Sequence, residues 1–245
     1  MTRVMSNIRT RDRRRDDDDD AASGLAVLDG VQRLFVKQHV EMFEAMTGWE
    51  TANSYTVLDQ RGQPLYNVNE SSGACMRQCC KSNRSFVLHI QDLDNRPVLV
   101  VERPYRFFWQ EILVRDPGTG SVLGSVTRSF AFFSRTFEVR NHHGEHLFNI
   151  SSPLFSFWTF YLTDPRTQAQ LGTVQKKWSG LAQELFTDAD NFGIEFPSNL
   201  PRASKSLLLA AVFLIDFMYF EDNDMNSQRG RGRRGGGMGF RTNMF

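Results

Sequence analysis

A run of 14 residues near the C-terminus, Leu207-Leu-Leu-Ala-Ala-Val-Phe-Leu-Ile-Asp-Phe-Met-Tyr-Phe220, is apolar except at Asp216. A helix that is apolar all round lies either in a protein core or in a bilayer. A single span takes about 20 apolar residues, whereas a run of about 10–14 is more often a buried core helix. This run is short for a span and has a carboxylate inside it. The rest of the fold must therefore supply an apolar sleeve, with lipid as the alternative surrounding. Asp216, the buried helix carboxylate, must be hydrogen-bonded, paired or protonated. A polar partner from the sleeve is the structural expectation.

The sleeve is legible upstream as short runs separated by turn chemistry. Tyr55–Leu58 and Leu65–Val68 flank Asp59-Gln-Arg-Gly62. Phe86–Ile90 and Val98–Val101 flank Asp92 to Pro97. Ile112–Val114 and Val122–Val126 flank Asp116-Pro-Gly-Thr-Gly120. Phe137–Val139 and Leu147–Ile150 flank Asn141-His-His-Gly144. Phe157–Leu162 and Leu171–Val174 flank Asp164-Pro-Arg166. Gly, Pro, Asn and Asp supply the backbone angles of tight turns, and strand formers stand on either side. Five consecutive hairpins predict about ten antiparallel strands, a barrel or sandwich. The 21 phenylalanines agree, since large aromatics fit pleated, half-buried surfaces. Before the hairpins, Leu28, Val31, Phe35, Met42 and Met46 share one helical face, and Gly48 is a stop. That spacing predicts an N-terminal helix over 25–46, packed outside the sleeve.

Charge collects at the ends, while the whole chain carries only +1. Residues 1–23 hold Arg11 to Arg15, with four arginines, and then five aspartates, Asp16 to Asp20. Residues 222–245 hold the Arg/Gly run from Arg229. Both compositions predict disordered tails around one folded unit, 24–221. The basic start has no apolar stretch of the kind a secretory signal needs. The three cysteines, Cys75, Cys79 and Cys80, are odd in number, which argues against a disulfide scaffold and for a reducing setting. Their spacing lacks the paired geometry of a zinc site. No phosphate loop, nucleophile elbow or H-E-x-x-H motif stands in the chain, so no covalent catalytic site is expected.

Leu185-Phe-Thr-Asp-Ala-Asp-Asn-Phe-Gly-Ile-Glu-Phe-Pro197 followed by Phe213-Leu-Ile-Asp-Phe-Met-Tyr-Phe-Glu221 resembles the C-terminal signature of phospholipid scramblases. Thr47 to Tyr55, Cys75-Met-Arg-Gln-Cys-Cys80, Val101-Glu-Arg-Pro104 and Gly172 to Gly180 fit the same family in the same order. The resemblance implies a tubby-like fold: mainly β, a closed antiparallel barrel of about twelve strands around the C-terminal helix. It also implies calcium-dependent, ATP-independent movement of phospholipids between leaflets. The expected setting is the cytoplasmic face of a membrane, most often the plasma membrane, with nucleus and mitochondrion as alternatives. A non-transporting adaptor that binds lipid or protein is the competing expectation, and a role for Asp216 in transport competes with its structural one.

The resemblance implies a weak Ca2+ site from Asp188 to Asn199, with Asp188, Asp190, Phe192, Ile194 and Asn199 as its candidates. The residues fit an EF-hand loop only in part, because Phe192 and Asn199 stand where oxygen-rich ligands belong. Phe192, Ile194 and Phe196 alternate as in a strand, so a turn leading into a core-facing strand competes. Many scramblases carry a palmitoylated cysteine cluster where this chain has Phe107, Phe108 and Trp109. Those aromatics are candidates for membrane contact, with core packing as the alternative. Cys79 and Cys80 are acylation candidates, though a single chain binds membranes only marginally. The Arg/Gly tail is a candidate contact for anionic lipid or RNA.

Overall fold

Among the described residues between 33 and 195, strands alternate with turns, and the strands close on themselves. The computed structural model describes residues 24–39, 52–71, 85–106, 108–156, 158–176, 191–197 and 199–220. The strands are β1 (Arg33–His39), β2 (Ser54–Asp59), β3 (Pro64–Ser71), β4 (Phe86–Gln91), β5 (Pro97–Arg103) and β6 (Glu111–Arg115), then β7 (Val122–Ser129), β8 (Ser134–Asn141), β9 (His146–Pro153), β10 (Thr159–Thr163), β11 (Gln170–Lys176) and β12 (Asn191–Glu195). Neighbours in sequence are neighbours in the wall, and β1 meets both β2 and β12, so the twelve strands form one closed barrel. Every pairing is antiparallel, and the five hairpins read from the turns are β2/β3, β4/β5, β6/β7, β8/β9 and β10/β11.

A barrel of about eight strands can be filled by its own side chains, and a wider one needs more. Here the filling is α1 (Arg202–Tyr219), in which every residue from Lys205 to Phe217 is buried. The apolar run is thus a core helix. Period-two alternation aims Tyr66, Val68, Leu88, Ile90, Leu99, Val101, Ile112, Val114, Phe137 and Ile150 at it. Rings interlock along its length: Phe213 meets Tyr55 edge-on at 5.1 Å, and Phe217 stacks on Phe86 at 3.9 Å. Gly124 faces inward where wall and helix approach closely. A Cβ there would lie 2.4 Å from the Arg140 carbonyl oxygen and 2.7 Å from a Leu207 methyl.

The N-terminal helix expected over 25–46 is a correction. Residues 33–39 form β1, preceded by a single 3-10 turn, Ala26–Leu28; residues 40–46 lie outside the described residues. Leu34 and Val36 point inward opposite Ile194 and Phe192. A helix in place of β1 would leave the facing edges of β2 and β12 unpaired, and open strand edges are unfavourable. Barrel closure outweighs the local helical spacing.

The two ends of the barrel differ. The five hairpin turns lie at one end, the floor, and share one chemistry. Asp59, Asp92, Asp116, Asn141 and Asp164 each accept backbone N–H groups from residues two to four positions on. Gly62, Gly120 and Gly144 take the left-handed angles that close three of these turns. The N–H groups of Thr167 and Arg166 hold the Asp164 carboxyl below its ordinary range.

Also at the floor, the buried Lys205 ammonium of α1 donates to the carbonyls of Leu28 and Val31 at 2.9 and 2.8 Å. Burial lowers its proton affinity, against a smaller opposing pull from Asp29. The folded state therefore gives up this proton before the unfolded chain does. Stability is expected to rise with pH through the interval below the ordinary lysine value of about 10.4. The rise should be absent in Lys205→Met, when the two proteins are compared by denaturant unfolding across that interval.

Candidate functional site

At the other end, the mouth, the chain leaves β5, β7 and β9 in connections whose tips are aromatic. Phe108 and Trp109 are exposed between β5 and β6. Phe130, Phe132 and Phe133 between β7 and β8, and Phe155 between β9 and β10, are 87–94% exposed. Strand order makes these connections neighbours round the rim. Backbone hydrogen bonds join them: Arg128 N–H donates to Gln110 O at 2.8 Å, and Leu154 N–H to Phe133 O at 3.3 Å. The result is one aromatic lip along about half of the mouth. Large contiguous exposed apolar surface marks a surface that meets something apolar.

Inside the lip, the last inward-facing layer of the wall is polar. Each member continues the parity of the core residues on its strand: Arg103 after Val101, Arg128 after Val126, Lys176 after Val174, Glu70 after Val68. Arg135 joins them before Phe137. Arg103 is buried, lies 5.7 Å over the Phe86 ring and donates to the Gln110 side chain, whose amide donates to Arg106 O at 2.9 Å. Arg135 and Arg128 stand 4.8 and 5.9 Å from the centroid of Tyr219, at the C-terminal end of α1. Burial pushes the Tyr219 hydroxyl up, and the two guanidinium groups pull it back.

Asp216 sits in this layer, on the helix. Tyr55 of β2 donates its hydroxyl to Asp216 Oδ2 at 3.2 Å, and Lys176 of β11 brings Nζ to 4.0 Å from Oδ1. The Lys176 ammonium also lies over the rings of Phe220 and Phe192 at 4.5 and 5.4 Å. The buried carboxylate thus has wall partners on two strands.

The candidates from sequence are spread more widely. Phe108 and Trp109 lie on the lip; Phe107 lies outside the described residues. So do Asp188, Asp190, Cys75, Cys79, Cys80 and the Arg/Gly tail. Phe192 and Ile194 are inward, buried residues of β12, paired with Val36 and Leu34. Asn199 is exposed past the floor end of that strand. A five-residue strand crossing the wall separates Asn191 at the mouth from Glu195 near the floor. At about 3.3 Å per residue the strand puts about 13 Å between those two residues. Among the described residues, no group of three or more His, Cys, Asp or Glu is placed to hold a metal.

The hairpin tip missed in sequence is Arg128-Ser-Phe-Ala-Phe-Phe-Ser-Arg135. Its signal is a tip made of aromatics where Gly, Asn or Asp is usual, with an arginine at each shoulder.

A family model described as Scramblase matches residues 18–222. The chain belongs to the scramblase family. This scramblase-family chain is 36% identical over 218 residues to Phospholipid scramblase 1 of Mus musculus, covering 84% of this chain and 66% of that one. It is 35% identical over 210 residues to Phospholipid scramblase 2 of Bos taurus, covering 81% and 71%. It is 34% identical over 218 residues to Phospholipid scramblase 1 of Homo sapiens, covering 84% and 68%. It spans slightly less than two thirds of the length of the murine relative.

Proposed function

We propose that this protein moves phospholipids between membrane leaflets, working from the membrane surface with its aromatic lip seated in the headgroup interface. The observation that carries this is the lip itself: exposed aromatics on three neighbouring loops, all at one end of the barrel. Trp and Phe favour that interface. Family membership supplies phospholipid as the cargo. The outward face of the wall favours a surface seat over a spanning barrel. The outward positions include Asn67, Asn69, Glu102, Arg115, Glu138 and Arg140, where a lipid-facing strand would be apolar. Among the described residues no helix is long and apolar enough to cross a membrane.

Movement is ATP-independent and calcium-dependent in this proposal. Calcium would act through Asp188 and Asp190, in the segment that leaves β11 at Lys176 and returns at Asn191. Two carboxylates make a weak site, of the ~10⁻⁴–10⁻³ M class. The test is reconstitution in liposomes with labelled lipid and no nucleotide. Calcium is expected to accelerate equilibration, and Asp188→Ala with Asp190→Ala to remove that acceleration. A protein that binds the vesicles but equilibrates no lipid, with or without calcium, is a binding module instead. That second reading is favoured by the interior, which α1 fills along its length.

A further inference from the structure

We propose that Arg128 and Arg135 form a binding site for the net-negative, phosphate-bearing headgroup of an anionic phospholipid, held at the mouth while the lip rests among neighbouring lipids. The proposal deepens the lipid-moving role above and rests on it.

Three observations place the site. First, the two arginines are the shoulders of the hairpin whose tip carries Phe130, Phe132 and Phe133, so cation and apolar contact belong to one loop. A phospholipid presents the same order, charge above and chains below. Second, both guanidinium groups lie over one Tyr219 ring, at 5.9 and 4.8 Å, which holds two like charges close together. Arginine's planar fork suits phosphate oxygens, and a shared anion relieves the repulsion between the pair. Third, of the cations in the described inward layer of the mouth, Arg103 and Lys176 are buried, whereas Arg128 is exposed and open to an incoming headgroup at the β7–β8 shoulder.

The second arginine is anchored. Arg135 Nη2 donates to the Leu154 carbonyl at 3.4 Å, and the Arg128 backbone is tied to Gln110. The positions of both shoulders are therefore set before any ligand arrives, which lowers the ordering cost of binding.

The experiment is vesicle co-sedimentation of the whole protein on phosphatidylcholine alone and on phosphatidylcholine mixed with phosphatidylserine. The wild type is expected to prefer the mixed vesicles. At about fivefold per surface cation, Arg128→Gln with Arg135→Gln should lower affinity for mixed vesicles about 30-fold and leave affinity for phosphatidylcholine nearly unchanged. The paired lysine substitutions, Arg128→Lys with Arg135→Lys, keep charge but lose the fork and should recover only part of the preference. They also serve if the glutamine variant does not fold. Equal preference in wild type and both variants overturns the site. Loss of the preference on adding millimolar inorganic phosphate at constant ionic strength overturns the lipid source and assigns the site to free phosphate. Failure of the wild type to bind either vesicle overturns instead the membrane seat on which the site rests.

Discussion

Replacing Phe130, Phe132 and Phe133 together by Ser is expected to weaken binding to phosphatidylcholine vesicles about a hundredfold, with no loss of fold stability. The three rings are 89%, 91% and 87% exposed, so they hold little of the barrel together. Full burial of a Phe side chain is worth about 1.5–3 kcal/mol. A ring dipped only to the headgroup level realises part of that, so three rings contribute on the order of 3 kcal/mol, or about two decades of affinity. Flotation measures the binding, and thermal unfolding followed by circular dichroism measures the fold. The expected pair of results is a large loss of flotation and an unchanged melting midpoint. A changed midpoint with retained flotation would make the rings structural. The phenylalanine-to-serine change also separates the lip from the arginine shoulders, because it removes no charge: residual binding should keep its preference for anionic vesicles.

The same loop shows where sequence is and is not sufficient. The five floor turns were legible because each opens on Asp or Asn, a chemistry that works locally, within four residues. The core helix was legible because its apolar surface is continuous and its length is short for a span. The first strand was not. Leu28, Val31 and Phe35 fit a helix, and only the edges of β2 and β12, the latter far away in sequence, decide for a strand. The Phe192 and Ile194 pattern was readable as a strand, since alternation is also local. The mouth was illegible for a different reason. Arg103, Arg128, Arg135 and Lys176 come from four strands, and they become one layer only when the barrel closes. Their common feature, a cation at the inward parity of a strand end, has no meaning until register is known.

That layer also contains the second large expected effect. Lys176→Met alone is expected to destabilise the protein by about 3–5 kcal/mol, and Asp216→Leu alone by a similar amount, because each leaves a buried charge facing its lost partner. Both side chains are nearly inaccessible, at 2% and 5% exposure, with 4.0 Å between Nζ and Oδ1. Such a separation is long for a hydrogen bond, so attraction between the charges and the Tyr55 hydroxyl's donation to Oδ2 are the contributions to weigh. The double variant decides between them. If the charges chiefly compensate one another, Lys176→Met with Asp216→Leu should return to within about 1–2 kcal/mol of wild type, since an apolar pair of similar volume fits an apolar core. Urea unfolding of the four proteins gives the coupling energy directly. Additive losses would show that lysine and aspartate act independently. A recovered double variant then permits the functional question that neither single variant can address. It has a folded barrel and lacks the Lys176–Asp216 pair. Undiminished lipid movement by that protein in liposomes would make Asp216 a structural group, and lost movement with retained vesicle binding would assign the buried pair to transport.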